Sequence, residues 1–461
     1  MSAPAQPNTP DRVVIVGASL AGLRAAEHLR ELGFSGLLHV VGDEALHPYD
    51  RTPLSKALLH RQVAPSRFRL VANPDLDVRW MLGTAAAALH LEQRRVVLTD
   101  GSSLDYDRLV IATGRRARPW QHPGQAGFEG VLTLRNLADG EALRTRLLEN
   151  PGPLVIVGAG FIGSEVASAA RDLGVEVTVV SRGQSPLDGA LGNTVGTAIA
   201  ALYSTNGVDL RRGVSATALH ADANNRVTGV QLADGTVLPA STVLVATGTL
   251  ANVEWLAGSG LDSIGGVAVD GALRALTEQG TPSADIVAAG DVTRWTSAAA
   301  GNPLVATEHW GNAVVQGRQA AETILGYPDP DPAAVPLPSF WSSMFGVTIK
   351  SVGVASFGDE VAVVQGSLAE NKAVLVYGRE GRTVAALTLD APRDLPFYAS
   401  LVENGAPFPP RLGIPEKNRQ GSTEPQPALF PARAVSAPSR APAPAADRAV
   451  DDALRPVTIG P

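Results

Sequence analysis

Two glycine-rich turns in this 461-residue chain have the spacing needed to hold nucleotide phosphates. The first consists of Gly17, Ser19, Leu20, Ala21 and Gly22, directly after a short apolar run. A strand, a small-residue turn and a helix let a pyrophosphate approach the backbone, and the first helical amides donate to it. Serine replaces the usual second glycine, and its hydroxyl could donate to a phosphate in return. We predict a dinucleotide site, an ordinary strand-to-helix turn being the alternative.

The second turn keeps all three glycines of this pattern. It contains Gly158, Gly160 and Gly163, with Phe161 and Ile162 between the last two. One such motif is weak evidence for a nucleotide site, whereas two in one chain are much stronger evidence. We therefore expect two bound nucleotides.

After each glycine turn, the chain also has an apolar strand that ends in Ala-Thr-Gly. The two ends are Ala112-Thr113-Gly114 and Ala246-Thr247-Gly248. An Asp-Gly dipeptide precedes each end at the same distance (114 − 100 = 14 and 248 − 234 = 14). An internal duplication explains this repetition, and both ends are expected beside the cofactors.

Charged residues follow the second strand of the first copy, Leu37 to Val41. Asp43 is predicted to accept hydrogen bonds from the ribose of the adenosine half, and we prefer it to Glu44. Prolines stiffen the next loop, so Arg51 and Lys56 are predicted to reach the diphosphate or the flavin ring. The alternative for both is ordinary surface charge.

A short strand from Trp80 to Ala88 is predicted to meet the adenine with its backbone near Ala86. Later, an apolar strand ends in Gly290 and Asp291, where a carboxylate could accept from a polyol such as the ribityl chain.

Polar residues in the second copy suggest which coenzyme it binds. Ser181 and Arg182 stand where an acid would select NADH, and an arginine there suits the 2′-phosphate of NADPH. We predict NADPH and keep NADH open, because Arg182 could simply be exposed. Glu165 could point to the nicotinamide or, as an acid in the first helical turn, complement the helix dipole.

Glu308, His309 and Trp310 open a helical pattern and are further candidate cofactor contacts. A lone histidine is more often structural than catalytic, so we assign His309 no catalytic role.

Composition excludes several functions. The net charge of −7 and the pI near 5.7 argue against a nucleic-acid-binding surface. No apolar run reaches the roughly 20 residues of a membrane span, and the first ten residues lack a signal-peptide core, so a cytoplasmic protein is expected. The chain has no cysteine, which excludes a redox-active disulfide and thiolate-bound zinc or iron-sulfur clusters. No metal site is predicted.

The predicted fold class is α/β, with two Rossmann-like dinucleotide-binding domains in a three-layer, glutathione-reductase-like arrangement and a C-terminal α+β domain. Residues 11–120 and 249–330 would form one split nucleotide-binding domain, to which the family resemblance given below assigns FAD. Residues 121–248 would form the other, to which that resemblance assigns NAD(P)H. Residues 331–403 would form the third domain, an antiparallel sheet with turns at Gly366 and Gly378. The Pro- and Ala-rich residues 404–461 are predicted to be a disordered tail.

The chain as a whole resembles the FAD-dependent, NAD(P)H-linked ferredoxin reductases of the putidaredoxin-reductase and rubredoxin-reductase type. The motifs concerned are Pro-Tyr-Asp-Arg-Thr-Pro-Leu-Ser-Lys56, both glycine turns, both Ala-Thr-Gly ends, Gly290-Asp291, Glu308-His309-Trp310 and Phe340-Trp341-Ser342. The resemblance covers about residues 11 to 400. It implies FAD contacts from Ala21, Asp43, Arg51, Lys56, Ala86, Arg135, Asp291 and Trp310. It also implies that Lys56 and Glu165 lie near the reacting ring edges and act in catalysis.

The resemblance further implies that a small iron-sulfur protein, a ferredoxin or rubredoxin serving a cytochrome P450 or Rieske oxygenase, accepts the electrons. Arg115, Arg116 and Arg118 are candidates for steering such an acidic partner, or are solvated charge. One alternative is a flavoprotein like apoptosis-inducing factor, and another is an NAD(P)H reductase of a small organic acceptor. Monomer and homodimer both remain open.

Overall fold

Short apolar strands followed by glycine turns form the parallel centres of two sheets in the computed structural model. The structure describes residues 10–60, 63–70, 76–149, 151–296, 304–329 and 337–410. Valine and isoleucine dominate the first central strand, whose residues 13–16 are at most 2% exposed. Such strands are buried on both faces, which is why they read as continuous apolar runs.

The first domain opens with one strand, one helix and seven further strands. They are β1 (Arg12–Val16), α1 (Leu20–Glu31), β2 (Leu37–Gly42), β3 (Arg79–Leu82), β4 (Ala86–His90), β5 (Arg95–Leu98), β6 (Ser103–Asp105), β7 (Arg108–Ile111) and β8 (Arg115–Ala117). Between β2 and β3 the chain forms a loop with short 3₁₀ turns at Ala57–Leu59 and Pro65–Phe68. We call this loop, which carries Arg51 and Lys56, the cationic loop.

The second domain repeats this order and adds a helix where the first has the loop. It contains α2 (Pro123–Ala126), β9 (Val131–Leu132), α3 (Leu137–Glu149), β10 (Leu154–Val157), α4 (Phe161–Asp172), β11 (Val177–Ser181), α5 (Asp188–Thr205), β12 (Asp209–Arg212), β13 (Ala216–Ala221), β14 (Val227–Leu232), β15 (Val237–Pro239) and β16 (Thr242–Val245). Both copies thus place a strand-turn-helix unit before a three-stranded antiparallel meander, as the predicted duplication requires.

The chain then returns to the first domain. It forms β17 (Thr249–Ala251), β18 (Val267–Val269), β19 (Arg274–Leu276), β20 (Pro282–Ala288), β21 (Thr293–Thr296), β22 (Leu304–Val305) and α6 (Trp310–Ile324). β17 pairs antiparallel with β8, so the two crossings between the domains run side by side as a ribbon. The returning β20 joins a nine-stranded sheet in which β3, β2, β1, β7 and β20 are parallel neighbours.

The C-terminal domain is a five-stranded antiparallel sheet with one helix. Its elements are β23 (Ser339–Met344), β24 (Val347–Gly353), β25 (Glu360–Ser367), β26 (Lys372–Arg379), β27 (Arg382–Leu389) and α7 (Leu395–Glu403). The α/β fold with two dinucleotide-binding domains and a C-terminal α+β domain is confirmed, whereas the exact boundaries between these three domains stay a prediction. Across the described ranges, no helix is long and apolar enough to cross a membrane.

Three details of the sequence interpretation are wrong. The strand predicted from Trp80 to Ala88 is interrupted at 83–85, because β3 belongs to the large sheet and β4 to a meander. Gly366 and Gly378 lie inside β25 and β26 rather than in turns. The tail does not start at 404, since the Thr383 amide donates to the Ala406 carbonyl (2.7 Å) and the Phe408 amide to that of Gly381 (2.9 Å). The rest of the predicted tail, from 411, lies outside the described residues.

Candidate functional site

One cavity of about 690 Å³ runs between the first domain, the second domain and the C-terminal sheet. Most of the predicted site residues line it: Ser19, Leu20, Ala21, Asp43, Arg51, Lys56, Ala112, Thr113, Gly114, Arg135, Phe161, Ile162, Glu165, Gly290, Asp291, Glu308, His309 and Trp310. Its size is within the range of cavities that enclose organic ligands.

The first glycine turn has no room for a side chain at either of its two glycines. Gly17 has φ +127°, and a Cβ there would lie 2.0 Å from the Ala112 carbonyl oxygen. A Cβ on Gly22 would lie 1.9 Å from the Gly17 carbonyl oxygen. These glycines lie beneath the cavity and bring the start of α1 to its wall. The first turn of α1 has no acid, so no carboxylate there offsets the positive end of the helix dipole at the cavity wall.

Ser19 stands where the pattern usually has a glycine, and its side chain takes part in a hydrogen bond. It precedes α1, and its Oγ accepts a hydrogen bond from Arg51 Nε (3.3 Å). Arg51 also donates to the Arg135 carbonyl (3.1 Å) and pairs with Glu44 (Nη2 to Oε1, 2.5 Å). The serine therefore connects the glycine turn to the cationic loop.

The two acids after β2 differ in their contacts. Glu44 accepts from Arg51 and from the Tyr49 hydroxyl (2.6 Å), so both of its oxygens are engaged. Asp43 also lines the cavity, and within the described chain its carboxylate accepts from the Glu44 amide (3.0 Å). Asp43 is the acid with hydrogen-bonding capacity left for a ribose, in line with our preference for it.

A second ion pair spans the middle of the cavity. Arg135 Nη2 lies 2.6 Å from Asp291 Oδ2, and Arg135 Nε donates to the Arg115 carbonyl (2.9 Å). Asp291 follows Gly290, whose amide donates to the Gln316 side chain (2.8 Å). Buried Gln316 thus fixes the turn that presents the carboxylate.

Lys56 and Glu165, predicted separately, form one ion pair. Lys56 Nζ lies 2.6 Å from Glu165 Oε2, which also accepts from the Ser55 hydroxyl. Glu165 Oε1 accepts from the Ser342 hydroxyl (2.6 Å). Glu165 is 5% exposed and Ser342 1%. A buried carboxylate with two hydroxyl donors and one ammonium is well compensated, and it joins the cationic loop, α4 and β23 at the cavity.

Aromatic side chains close the opposite wall. His309 and Phe340 have ring centroids 5.1 Å apart, and Trp310 meets Trp341 edge-to-face at 5.7 Å. His309 Nδ1 and Trp310 Nε1 are buried and have no partner in the described chain. Since buried polar atoms are nearly always hydrogen-bonded, these two atoms on the cavity wall are available to bond a ligand.

Burial lowers the pKa of His309 to about 4, against the weaker opposing effect of Asp291. The folded protein therefore holds a neutral imidazole, and this contribution to stability is complete above the unfolded pKa near 6.5 and is lost as pH falls towards 4.

We predict that the wild type loses about 1–2 kcal/mol more unfolding free energy between pH 7 and pH 5 than the His309→Asn variant loses. Denaturant unfolding at both pH values measures this, and equal losses would contradict it.

The second glycine turn repeats the geometry of the first, away from the main cavity wall. Gly158 has φ +114°, and a Cβ there would meet the Ala246 carbonyl oxygen at 2.2 Å. A Cβ on Gly163 would meet the Gly158 carbonyl oxygen at 2.1 Å. A Cβ on Gly160, in contrast, would find no protein atom within 4 Å. Gly160 therefore faces space that the fold leaves free.

Several predicted residues lie outside the cavity. Gly158, Gly160, Gly163, Thr247 and Gly248 surround the second turn, where Phe161, Ile162 and Glu165 at the start of α4 connect it to the cavity. Ser181 and Arg182 lie at the end of β11. Ala86 lies in β4 and does not line the cavity, so its predicted adenine contact has no support from the cavity's lining.

The three clustered arginines have partners within the chain. Arg115 Nε lies 3.1 Å from Glu308, and Arg116 pairs with Glu254 (Nη2 to Oε1, 2.5 Å). Arg118 donates to the Thr249 carbonyl (3.4 Å). Two of these charges are therefore balanced locally. Steering of an acidic partner by this cluster stays a prediction, with less free positive charge than the sequence indicates.

Sequence reasoning missed the hydroxyls that hold Glu165. Ser55 precedes Lys56, and Ser342 belongs to the Phe-Trp-Ser motif, but neither position carries a periodic or spacing signal that predicts a contact. Only the packing of the three domains brings them to one carboxylate.

Comparisons with known proteins complete the description of the site. Residues 11–317 match the family Pyridine nucleotide-disulphide oxidoreductase, and residues 339–414 match Reductase C-terminal. Putidaredoxin reductase CamA of Pseudomonas putida is 32% identical over 88% of this chain and 94% of its own length. The biphenyl dioxygenase system ferredoxin–NAD(+) reductase component of Paraburkholderia xenovorans is 35% identical over 85% and 93%. The structure of the covalent putidaredoxin reductase–putidaredoxin complex matches with a TM-score of 0.80 and 31% identity, over 87% of this chain and 94% of that chain.

Proposed function

Because the chain belongs to the pyridine nucleotide-disulphide oxidoreductase family, we propose that it passes electrons from NAD(P)H through FAD to a small iron-sulfur protein. The chain is an oxidoreductase, and its relatives include reductases of putidaredoxin and of dioxygenase-system ferredoxins. The partner would be a ferredoxin or rubredoxin that serves a cytochrome P450 or Rieske oxygenase. A cytoplasmic location is part of this proposal, since the pyridine nucleotide pool is found there.

The observation that carries the proposal is the cavity shared by the two nucleotide domains. Its walls include the start of α1 after the first glycine turn and the start of α4 after the second. Lys56 and Glu165 form their ion pair between them. Two nucleotides held by the two turns would therefore meet beside this pair.

The residues present fit FAD. The absence of a Cβ on Gly17 and Gly22 lets the first turn pack tightly and brings the start of α1 to the cavity, and two buried polar atoms on the aromatic wall lack a protein partner within the described ranges. We propose that Ser19, Leu20, Ala21, Asp43, Arg51, Ala112, Thr113, Gly114, Arg135, Gly290, Asp291, Glu308, His309 and Trp310 hold it. Arg51 and Arg135 would donate to the diphosphate with the N–H groups that their ion pairs with Glu44 and Asp291 leave unused. Asp43 and Asp291 would accept from hydroxyls.

When bound, FAD accepts the two electrons of a hydride and can release them singly to two one-electron acceptors. The protein's own residues would orient the nicotinamide and stabilise charge. Lys56 provides a partly buried cation at the cavity, where charge interactions are stronger than in bulk water. Glu165, fixed by Ser55 and Ser342, positions that ammonium.

The absence of cysteine limits where the electrons can go. The family includes disulphide oxidoreductases by name, but this chain has no thiol that could form a disulfide or a sulfenic acid. The electrons must therefore leave for a separate molecule.

The test is a steady-state assay of purified, FAD-loaded protein with NAD(P)H and a panel of ferredoxins and a rubredoxin, read out as cytochrome c reduction. We expect turnover that depends on at least one carrier. Equal rates without any carrier, with a quinone or ascorbyl radical as acceptor, would favour a reductase of small organic molecules. Slow turnover with every acceptor and a long-lived charge-transfer complex would favour a role like that of apoptosis-inducing factor.

A further inference from the structure

We infer that the pyridine nucleotide is NADPH and that Ser181, Arg182 and Arg212 together bind its 2′-phosphate. This inference rests on the proposed function, because it concerns the coenzyme of the same reaction. It adds a residue, Arg212, that the sequence did not indicate. The inferred coenzyme, NADPH, differs from the NAD(+) in the names of two relatives, which are called ferredoxin–NAD(+) reductases.

The duplicated domains of this chain provide an internal comparison. The Gly17 amide donates to the Val41 carbonyl, and the Gly158 amide donates to the Val180 carbonyl, both at 2.8 Å. These matching bonds make Val41 and Val180 equivalent. Two residues further on, the first domain has Asp43 and the second has Arg182. The charge is therefore reversed at equivalent positions, with an acid for a ribose hydroxyl in one and a cation in the other.

Arg212 brings a second guanidinium to the same loop. It ends β12, where it is the register partner of Ser181 on β11. Its Nη1 donates to the Gln184 carbonyl (3.4 Å), and the Gly213 amide donates to that of Gly183 (3.1 Å). The β12 end is thus tied to residues 183 and 184, next to Arg182. In the first domain the corresponding register partner of Gly42 is Leu82, which carries no charge.

The charges around the loop leave both arginines available. Arg211 pairs with Asp209 (2.8 Å), whereas Arg182 and Arg212 are exposed and form no ion pair in the described parts of the chain. Asp188 is the nearby acid. Its carboxylate lies against Gly183, and its Oδ1 accepts from the Gly189 amide (2.8 Å). Arg182 and Arg212 therefore give this loop and the adjoining end of β12 two guanidiniums without an ion pair in the described ranges, against one nearby carboxylate, Asp188.

A hydroxyl donor completes the set. Ser181 Oγ accepts from the Gly183 amide (3.2 Å), so its own proton remains free to donate to a phosphate oxygen. Guanidinium groups bind phosphate with paired hydrogen bonds, which makes arginine the preferred residue for such a group. NADH has a hydroxyl at this position and would gain little from either arginine.

The experiment compares kcat/KM for NADPH and NADH, using ferricyanide as acceptor, in the FAD-loaded wild type and four variants. These are Arg182→Ala, Arg212→Ala, the double variant Ser181→Gly/Arg182→Asp, which introduces the first domain's residues, and the control Arg211→Ala. We expect the wild type to prefer NADPH. Each arginine loss in the site should lower the NADPH/NADH ratio roughly 10- to 100-fold, and the double variant should reverse the preference. Arg211→Ala should keep the wild-type ratio.

A binding measurement separates this inference from the proposed function. Calorimetric titration of the same proteins with 2′,5′-ADP and 5′-AMP needs no electron transfer. Tighter binding of 2′,5′-ADP by the wild type, lost in Arg182→Ala and Arg212→Ala, supports the inference even if no iron-sulfur protein is reduced. Equal binding of the two probes, or a wild-type preference for NADH, overturns it. An unchanged ratio in Arg212→Ala removes that residue from the site.

Discussion

Replacing Lys56 with methionine is expected to slow reduction of the bound FAD by its nicotinamide donor roughly 100-fold, as for other groups that stabilise developing charge in an enclosed site. Methionine keeps the length and most of the volume of the side chain but removes the ammonium that lies 2.6 Å from Glu165. The flavin midpoint potential should fall, because negative charge that arrives with the hydride loses a neighbouring cation. Stopped-flow reduction and a redox titration measure the two effects.

The matched variant is Glu165→Gln, which removes the opposite charge from the same pair. The Lys56 ammonium is then no longer neutralised, so the midpoint potential should rise where Lys56→Met lowers it. Ser342→Ala deletes only one of the hydroxyls that donate to Glu165, so it should move the midpoint potential less than Lys56→Met or Glu165→Gln does. Shifts of the same sign in Lys56→Met and Glu165→Gln would show that the pair acts by shaping the cavity rather than by charge. Wild-type reduction in Lys56→Met would remove the lysine from catalysis.

The parts of this site that the sequence predicts are the local ones. A glycine turn needs only six consecutive residues, and its backbone geometry follows from that segment alone. Gly17 and Gly158 show this, since both adopt positive φ and lie against the strand that ends in Ala-Thr-Gly. The fold class follows for the same reason, because each strand-turn-helix unit is readable in place and the repetition identifies the duplication.

The pairing of Lys56 with Glu165 was not predictable in this way. The two residues are 109 positions apart and belong to different domains, and Ser342 lies 177 positions beyond Glu165. Their contact depends on how three domains pack, which no periodicity records. The neutralisation of Arg116 by Glu254 has the same origin, as the two meet only where β8 pairs with β17.

Glycine was also misleading where its role was tertiary. Gly378 suggests a turn because glycine is common in turns, yet it lies inside β26. A side chain there would have no room, because the Phe408 ring lies 2.2 Å from where a Cβ would be. The same contact explains why the ordered chain extends past residue 404. A Pro- and Ala-rich composition predicts disorder from residue 404, and it does not show that residues 404–410 pack on the sheet.

Replacing Gly17 with alanine is expected to be the most damaging of the glycine substitutions we propose. The residue has φ +127°, and the new Cβ would meet the Ala112 carbonyl oxygen at 2.0 Å. Backbone strain and the forced shift of β7's end together should cost about 2–6 kcal/mol of unfolding free energy. Because the turn cradles the diphosphate in our proposal, the purified variant should also contain little FAD. Denaturant unfolding and the flavin-to-protein absorbance ratio measure both effects.

Gly160→Ala is the contrasting substitution, because its Cβ meets no protein atom within 4 Å and its φ of −79° suits any residue. Ser19 shows that the first domain accepts a side chain at the corresponding position. Stability and FAD content should therefore change little, by less than about 1 kcal/mol for the former. Only a pyrophosphate approaching the second turn would contact the new methyl group, so the KM for the pyridine nucleotide should rise. An unchanged KM would mean that the nucleotide does not approach this turn, whereas loss of stability would mean that the space is needed by the fold itself.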